Sequence, residues 1–450
     1  MSLYSETLIL MLAKLKSKFI KDVQLKELLS GSAVVLAFKI LGAFSSYVFF
    51  YLLAQNWGAK GVGLFSLSVT ILSVFVMLSK LGLDGLIVRQ IPEYKAQGRT
   101  GEERNIYGNL MRVVLVFSML ISIGVYFLAE PLALLFLNEQ LVLCFQIVAF
   151  AIIPSVVLSM NAESLRGLQH MRYFSYLQNG SVMLLSVLLL LLLSSVFDKG
   201  MATPIYIYLL SISVLAILSF FMLKTKWPKS NGRRSSIELR KTLKMSIPML
   251  VSGTVFMIMN WTDVLMLGFF STEDQVGIYN LCFKLASIIT FAQFAINSYA
   301  APRISSYYHS KEKLKLKALI QKIAWLNFVI SIPFFVILLF FGKQILPLFG
   351  AEFTNGITVL ILLAIGQLVN ALSGPVLYIL NMTGKEKVSR NIVVIAAFLN
   401  IVLNYILIPV YGIIGAALAA TISMFVWNVT SLVYIYRNYG LLTVVYFSTK

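Results

Sequence analysis

Apolar runs long enough to cross a lipid bilayer recur from one end of this chain to the other, and they decide its class. A hydrocarbon core of about 30 Å takes about 20 helical residues at about 1.5 Å each. Hydropathy and turn punctuation place such runs at roughly 31–56, 62–85, 108–129, 141–163, 174–196, 204–223, 247–270, 276–300, 320–341, 357–382, 389–409 and 412–436. The bilayer core holds no water for backbone N–H and C=O groups, so each run closes its own hydrogen bonds as a helix. The expected fold is all-α: a polytopic membrane protein of about twelve transmembrane helices. Composition agrees, because 59 % hydrophobic against 12 % charged residues leaves too little polar surface for 450 residues of soluble domains.

A net charge of +19 would suggest nucleic acid as the partner of a soluble protein. Here the basic residues fall in short runs between spans, so no nucleic-acid partner is expected and they report orientation instead. One set of connections holds only Lys60, Lys199 and Lys343. The alternate set carries Arg89, Lys95, Arg99, Arg104, Arg166, Arg172, the run from Lys224 to Lys244, Arg303, Lys311 to Lys322, Lys385, Lys387 and Arg390. That asymmetry puts the rich side and both termini in the cytoplasm. Residues 1–30 read as a cytoplasmic or interfacial amphipathic segment, whose lysines follow its apolar patch in the wrong order for a cleaved signal peptide.

The most basic connection, 224–246, has six spans on either side and reads as a linker between two halves, 31–223 and 247–436, with 437–450 as a cytoplasmic tail. An internal repeat supports this division. Val62-Gly63-Leu64-Phe65-Ser66-Leu67 matches Val276-Gly277-Ile278-Tyr279-Asn280-Leu281 at an offset of about 214 residues. Likewise Pro131-Leu132-Ala133-Leu134-Leu135-Phe136, followed by Glu139, matches Gln344-Ile345-Leu346-Pro347-Leu348-Phe349, followed by Glu352. Each half has an even number of spans, so the repeats point the same way about an axis along the membrane normal, and two six-helix bundles enclose a central cavity. Pro154, Pro248, Pro333 and Pro375 fall inside spans and permit bends there.

Charges inside the spans are the candidates for function, since each costs about 3 kcal/mol or more unless it faces a partner or a polar cavity. Asp263 and Lys284 flank the short turn Ser271 to Gln275, both roughly 10–14 Å below the same face. They are either a structural ion pair between neighbouring helices or two residues on a central aqueous cavity. The polar residues around them, Asn260, Asn280, Ser287 and Gln293, favour the cavity. Lys39, about 13 Å into the first span, is too deep to snorkel comfortably. Lys39 and Lys284, one from each half, make that cavity cationic on balance, and lysine is a common phosphate ligand. An anionic cargo bearing phosphate or pyrophosphate is therefore expected. Asp263 is the candidate for coupling to an ion, as a carboxylate that can change charge when a neighbouring lysine binds an anion. Asp84 beside Lys80, Arg89, and the pair Glu163 and Arg166 are candidates for a gate or for structural pairing.

Catalysis finds no support. No glycine-rich phosphate loop ends in Lys-Ser or Lys-Thr, His170 and His309 have no ligand partners at metal spacing, and Cys144 and Cys282 read as buried free thiols. No cofactor or metal is expected, so any driving force comes from a proton or sodium gradient or from the cargo's own gradient.

Several stretches resemble the polysaccharide flippases of the multidrug, oligosaccharidyl-lipid and polysaccharide exporter superfamily. They are Gly61-Val62-Gly63-Leu64-Phe65, Pro347-Leu348-Phe349-Gly350-Ala351-Glu352-Phe353, and especially Ile408-Pro409-Val410-Tyr411-Gly412-Ile413-Ile414-Gly415-Ala416-Ala417. The resemblance implies transport of an undecaprenyl-pyrophosphate-linked oligosaccharide to the periplasmic leaflet of a bacterial inner membrane, for O-antigen, capsule or a similar glycan. It implies alternating access coupled to an ion gradient, and glycan polymerase or assembly proteins as partners. Related flippases place cations on the first and eighth spans against the pyrophosphate, which Lys39 and Lys284 match. Peptidoglycan-precursor flippases resemble the chain less, since they typically carry fourteen helices and arginines at those places. Two competitors stand beside this reading: a multidrug and cation efflux antiporter of the same superfamily, which would want an acidic cavity, and a membrane glycan polymerase or ligase, which would need a large extracytoplasmic loop.

Overall fold

The computed structural model describes residues 23–96, 102–193, 200–227, 246, 250 and 261–444. All regular structure among them is helical. Among the described residues nine helices are long and apolar enough to cross a membrane, or ten when one bent pair is counted as a span. In chain order the helices are α1 (Val23–Lys80), α2 (Leu83–Ala96), α3 (Glu102–Phe127), α4 (Ala129–Leu135), α5 (Gln140–Gly167), α6 (Met171–Gln178), α7 (Ser181–Leu193) and α8 (Thr203–Lys226). After them come α9 (Trp261–Phe270), α10 (Glu273–Ala286), α11 (Phe291–His309), α12 (Lys313–Ile345), α13 (Ile357–Leu372), α14 (Val376–Met382), α15 (Glu386–Tyr411) and α16 (Ile413–Tyr439).

The first of these is two crossings rather than one. Within α1, Gly58 has φ 65° and ψ −168°, a conformation open to glycine and strained for other residues. The Phe65 ring lies 5.0 Å from that of Phe49 and 6.0 Å from that of Phe50. In an unbroken helix those positions would stand about 23 Å apart. The chain therefore doubles back at Gly58, between the first two expected spans. The fifth expected span is the bent pair α6 and α7, set 50° apart. Its corner is Gly180, at φ 97°, packed on the backbone of Gly42 in α1. The turn after the seventh span is shorter than expected, since α10 already begins at Glu273.

Pro154 and Pro333 lie inside α5 and α12, and Pro375 marks the break between α13 and α14, where Gly374 has φ 76°. Pro248 lies outside the described residues, as do most of the N-terminal segment and residues 228–245 of the basic connection. The described part of the expected tail, up to residue 444, docks on the helices. Thr443 Oγ1 donates to the Ser373 carbonyl at 2.7 Å, and Gln321 Nε2 donates to Leu442 O at 2.6 Å and to Val444 O at 3.2 Å. These bonds satisfy carbonyls on an extended segment and at a helix break, groups that burial would otherwise leave unpaired.

Helix α5 packs against α1, α2, α3 and α8, while α13 and α15 both pack on α16 and α1 lies along α10. One buried cluster runs through both groups, with Phe49, Phe65, Phe145, Tyr279 and Phe353 among its largest members. The outer faces expose Phe127, Leu192, Phe340, Phe398 and Tyr405, which lipid covers in a membrane. A Cβ at Gly180 would fall inside the Gly42 backbone, so Gly180→Ala should cost about 2–3 kcal/mol and lower the Tm in detergent. Gly124→Ala, with open space around it, should leave the Tm unchanged.

Candidate functional site: two membrane charges on neutral ligands

Asp263, on α9, is 9 % exposed. Its Oδ1 accepts hydrogen bonds from Asn400 Nδ2 at 3.0 Å and Asn404 Nδ2 at 2.7 Å, and its Oδ2 accepts one from the Tyr279 hydroxyl at 2.7 Å. Asn400 and Asn404 stand one turn apart on α15, so both amides reach one carboxylate. Among the described residues no cation lies within 4.0 Å of this carboxylate. The ion pair with Lys284, one of the two readings the sequence leaves open, is not formed. Lys284 follows Tyr279 by five residues, about 140° around α10, and so leaves the face that Tyr279 turns toward Asp263.

Lys284 points at α1 instead. Its Nζ sits 4.0 Å from the Phe50 ring centroid and 5.9 Å from that of Tyr47. A desolvated ammonium over an aromatic face gains about 2 kcal/mol. Lys284 also occupies the last turn of α10, where the helix dipole favours a cation. Directly beyond it the span loosens into a 3-10 turn, Ser287–Thr290, before α11 begins. The carbonyls at this break are met locally: the Tyr47 hydroxyl donates to Lys284 O at 2.9 Å, Ser287 Oγ to the same oxygen at 2.6 Å, and Ser331 Oγ to Ile289 O at 2.8 Å. A span interrupted beside a charge is the arrangement transporters use where cargo binds.

Lys39 is half-buried on α1. It precedes Phe50 by about three helical turns, which puts both on one face of α1, roughly 16 Å apart along the axis. Gln293 Nε2 donates to Asn370 O at 3.3 Å, Thr290 Oγ1 donates to Gln367 Oε1 at 2.9 Å, and Asn280 is half-buried. Asn260 lies outside the described residues.

A cavity of about 340 Å³ adjoins Asp263, lined also by Phe283, Gln367, Asn370, Asn400, Ser423 and Trp427. It lies among α9, α10, α13, α15 and α16, and neither Lys39 nor Lys284 lines it, so it is not the shared central cavity expected for Asp263 and Lys284. A larger hollow of about 1010 Å³ is an apolar groove between α5 and α8, bordered by Phe150, Pro154, Phe220 and Phe221 and remote from both charges.

The other charged candidates form local pairs. Lys80 Nζ lies 2.7 Å from Asp84 Oδ2 and donates to Ser159 Oγ at 3.2 Å. Arg166 Nη1 lies 3.4 Å from Glu163 Oε2, with its guanidinium 5.3 Å from the Phe174 centroid. Lys80, Asp84 and Arg166 all act electrostatically on Glu163, so these four form one cluster, while Arg89 is exposed on α2. Asn400, Asn404, Tyr279 and Phe50 were not singled out from sequence. Two asparagines four residues apart in an apolar span carry a usable signal; a phenylalanine in an aromatic-rich span carries none.

A family model described as polysaccharide biosynthesis protein matches residues 28–308, and the MatE model matches residues 248–406. The chain is 26 % identical over 414 residues to the probable low-salt glycan biosynthesis flippase Agl15 of Haloferax volcanii, covering 88 % of this chain and 81 % of that protein. The solved lipid II flippase MurJ, in an inward closed conformation, superposes with a TM-score of 0.72 at 16 % identity, covering 90 % of this chain and 87 % of that one. An inward-facing multidrug resistance MATE transporter gives a TM-score of 0.73 at 13 % identity, covering 91 % and 98 %. The last two likenesses fix the fold, that of multi-pass transporters.

Removing one donor from a buried carboxylate leaves part of its charge unsolvated. Asn404→Leu should therefore cost about 2–3 kcal/mol, read as a lower Tm of the purified protein. Asn391→Leu, at an exposed position on the same helix, should leave the Tm unchanged.

Proposed function

The chain belongs to the polysaccharide biosynthesis protein family, and from that premise we propose that it is a flippase for a pyrophosphate-linked lipid oligosaccharide. The cargo is an undecaprenyl-pyrophosphate-linked glycan in a bacterial inner membrane. It passes from the cytoplasmic to the outer leaflet by alternating access between bundles 31–223 and 247–436, with both termini cytoplasmic. No covalent bond in the cargo changes.

The observation that carries this reading is the setting of Lys284. A lysine neutralised by a carboxylate has to lose that partner before it can hold an anion. Lys284 rests on ring faces, which stabilise its charge without occupying all of its N–H donors. It sits beside a break in its span and within reach of the opposite bundle through Phe50 and Tyr47. Lys39 lies about 16 Å further along the same face of α1 toward the cytoplasm. That spacing suits a hand-over, in which Lys39 meets the pyrophosphate first and Lys284 receives it deeper. Asn260, Asn280 and Gln293 would meet sugar hydroxyls, and the prenyl chain would stay in lipid. A polymerase or other assembly protein would take the delivered glycan.

Asp263 is the coupling residue in this account. A carboxylate whose partners are all neutral donors has no fixed cation to balance its charge, a place that a proton or a sodium ion would fill. The Asn404 amide, whose Nδ2 already donates to Asp263, also carries a buried oxygen without a hydrogen-bond partner among the described residues, an acceptor that a cation could use. The second reading, a multidrug exporter, draws on the MatE match over residues 248–406. Two lysines inside the spans oppose a cationic cargo.

The Lys39→Ala, Lys284→Ala double variant should reach the membrane in normal amount yet accumulate lipid-linked oligosaccharide on the cytoplasmic leaflet, as deletion of the protein should. Undiminished glycan export by that variant would sink the assignment, and a lost drug-resistance phenotype with intact glycan export would favour the exporter. Asp263→Asn should remove the dependence of transport on the proton or sodium gradient, and an unchanged dependence would clear Asp263 of that role.

A further inference from the structure

Gly63 lies on the arm of α1 beyond Gly58, and Gly277 lies in the first turns of α10. A Cβ added at Gly63 would fall within the carbonyl oxygen of Glu273, and one added at Gly277 would fall within that of Ala59. The two helices thus touch backbone to backbone, a closeness that only small residues allow. The contact is reciprocal in a specific way. Ala59 and Gly63 occupy, in the first repeat, the places that Glu273 and Gly277 occupy in the second. A two-fold operation that exchanges the repeats carries this crossing onto itself, so the crossing stands on their common axis.

A second set of contacts ties the same place from the side. The Glu352 carboxylate accepts a hydrogen bond from the Ala59 N–H, at the start of the arm that leads to Gly63. It occupies the space where Gly58 would carry a Cβ, 2.6 Å from that position. Gln55 Nε2 donates to Leu348 O at 2.6 Å, and the Tyr51 ring lies 5.9 Å from that of Phe349. All three reach from residues 348–352 to the turn of α1, on the side poor in lysine and arginine.

We propose that the Gly63–Gly277 crossing is the outer closure of the transport path, and that Glu352 is its releasable latch. A path between two bundles runs along the axis that relates them, and this crossing stands across its outer end. Flush backbone contact exists in one of the two states; the outward-open state parts it. A methyl group on either glycine favours the parted state, with the same sign at both because the sites are equivalent. Loss of the Glu352 carboxylate favours it too, by freeing the Ala59 N–H and loosening the turn at Gly58. These residues act on the balance of states and touch no cargo.

The inference rests on the alternating-access reading, and its test needs no cargo. A reporter cysteine at Ser66, buried one turn beyond Gly63, is placed in a full-length chain carrying Cys144→Ala and Cys282→Ala. Its labelling by a membrane-impermeant maleimide is then timed from the outer side. Gly63→Ala, Gly277→Ala and Glu352→Ala should each raise the labelling rate about tenfold, through a shift of a two-state balance. Glu352→Gln, which keeps an acceptor, should raise it less, and Gly124→Ala should leave it unchanged. Labelling of Gly63→Ala and Gly277→Ala at the parent rate, or acceleration by one of these two alone, would overturn the closure. Parent-rate labelling of Glu352→Ala would overturn the latch, and that exposed substitution alone decides if the glycine variants fail to accumulate. Because the readout is conformational, a failed lysine assignment would leave this result standing, and the reverse holds as well.

Discussion

A charge inside hydrocarbon has to be solvated by the protein, and the way this chain solvates two of them shapes the rest of the molecule. Asp263 and Lys284 sit in consecutive spans and would gain from pairing, yet each is held by neutral groups. The carboxylate takes two amides and a phenol; the ammonium takes two ring faces and the end of a helix dipole. A direct pair would be cheaper in desolvation than two separate charges. Keeping them apart leaves each charge able to accept a partner from outside the protein, which a transporter needs and a purely structural pair forbids.

Those neutral ligands also join distant parts of the chain. Asp263 draws α15 against α9 and α10, and Lys284 draws α10 onto α1. The same α1–α10 contact brings backbone against backbone at Gly63 and Gly277. Motion between α1 and α10 would therefore move the ring faces beneath Lys284 and the glycine crossing together. The proposed anion site at Lys284 and the proposed closure would thus both act at a single helix pair, though each is tested on its own.

Much of this was legible before any coordinates. The apolar runs, the position of the turn near Gly58 and the repeat that aligns Gly63 with Gly277 all follow from local pattern, because bilayer thickness and helical rise leave little choice. The partners of the charges were not legible. Whether Lys284 meets Asp263 or Phe50 depends on the rotation of α10 about its axis, and Asn400 and Asn404 come from a span more than a hundred residues away. Hydropathy fixes which residues lie in the membrane and says nothing of which way each one faces. The cavity beside Asp263 was placed between the halves for the same reason, whereas it lies within the second group of helices.

The most direct measurement is binding of a polyprenyl pyrophosphate to the purified protein, set against the same lipid with an uncharged headgroup. The account predicts that the pyrophosphate binds more tightly, and that Lys284→Ala removes most of that preference while leaving the neutral lipid's affinity as it was. Equal affinity for the two lipids, or a preference that survives in Lys284→Ala, would contradict it.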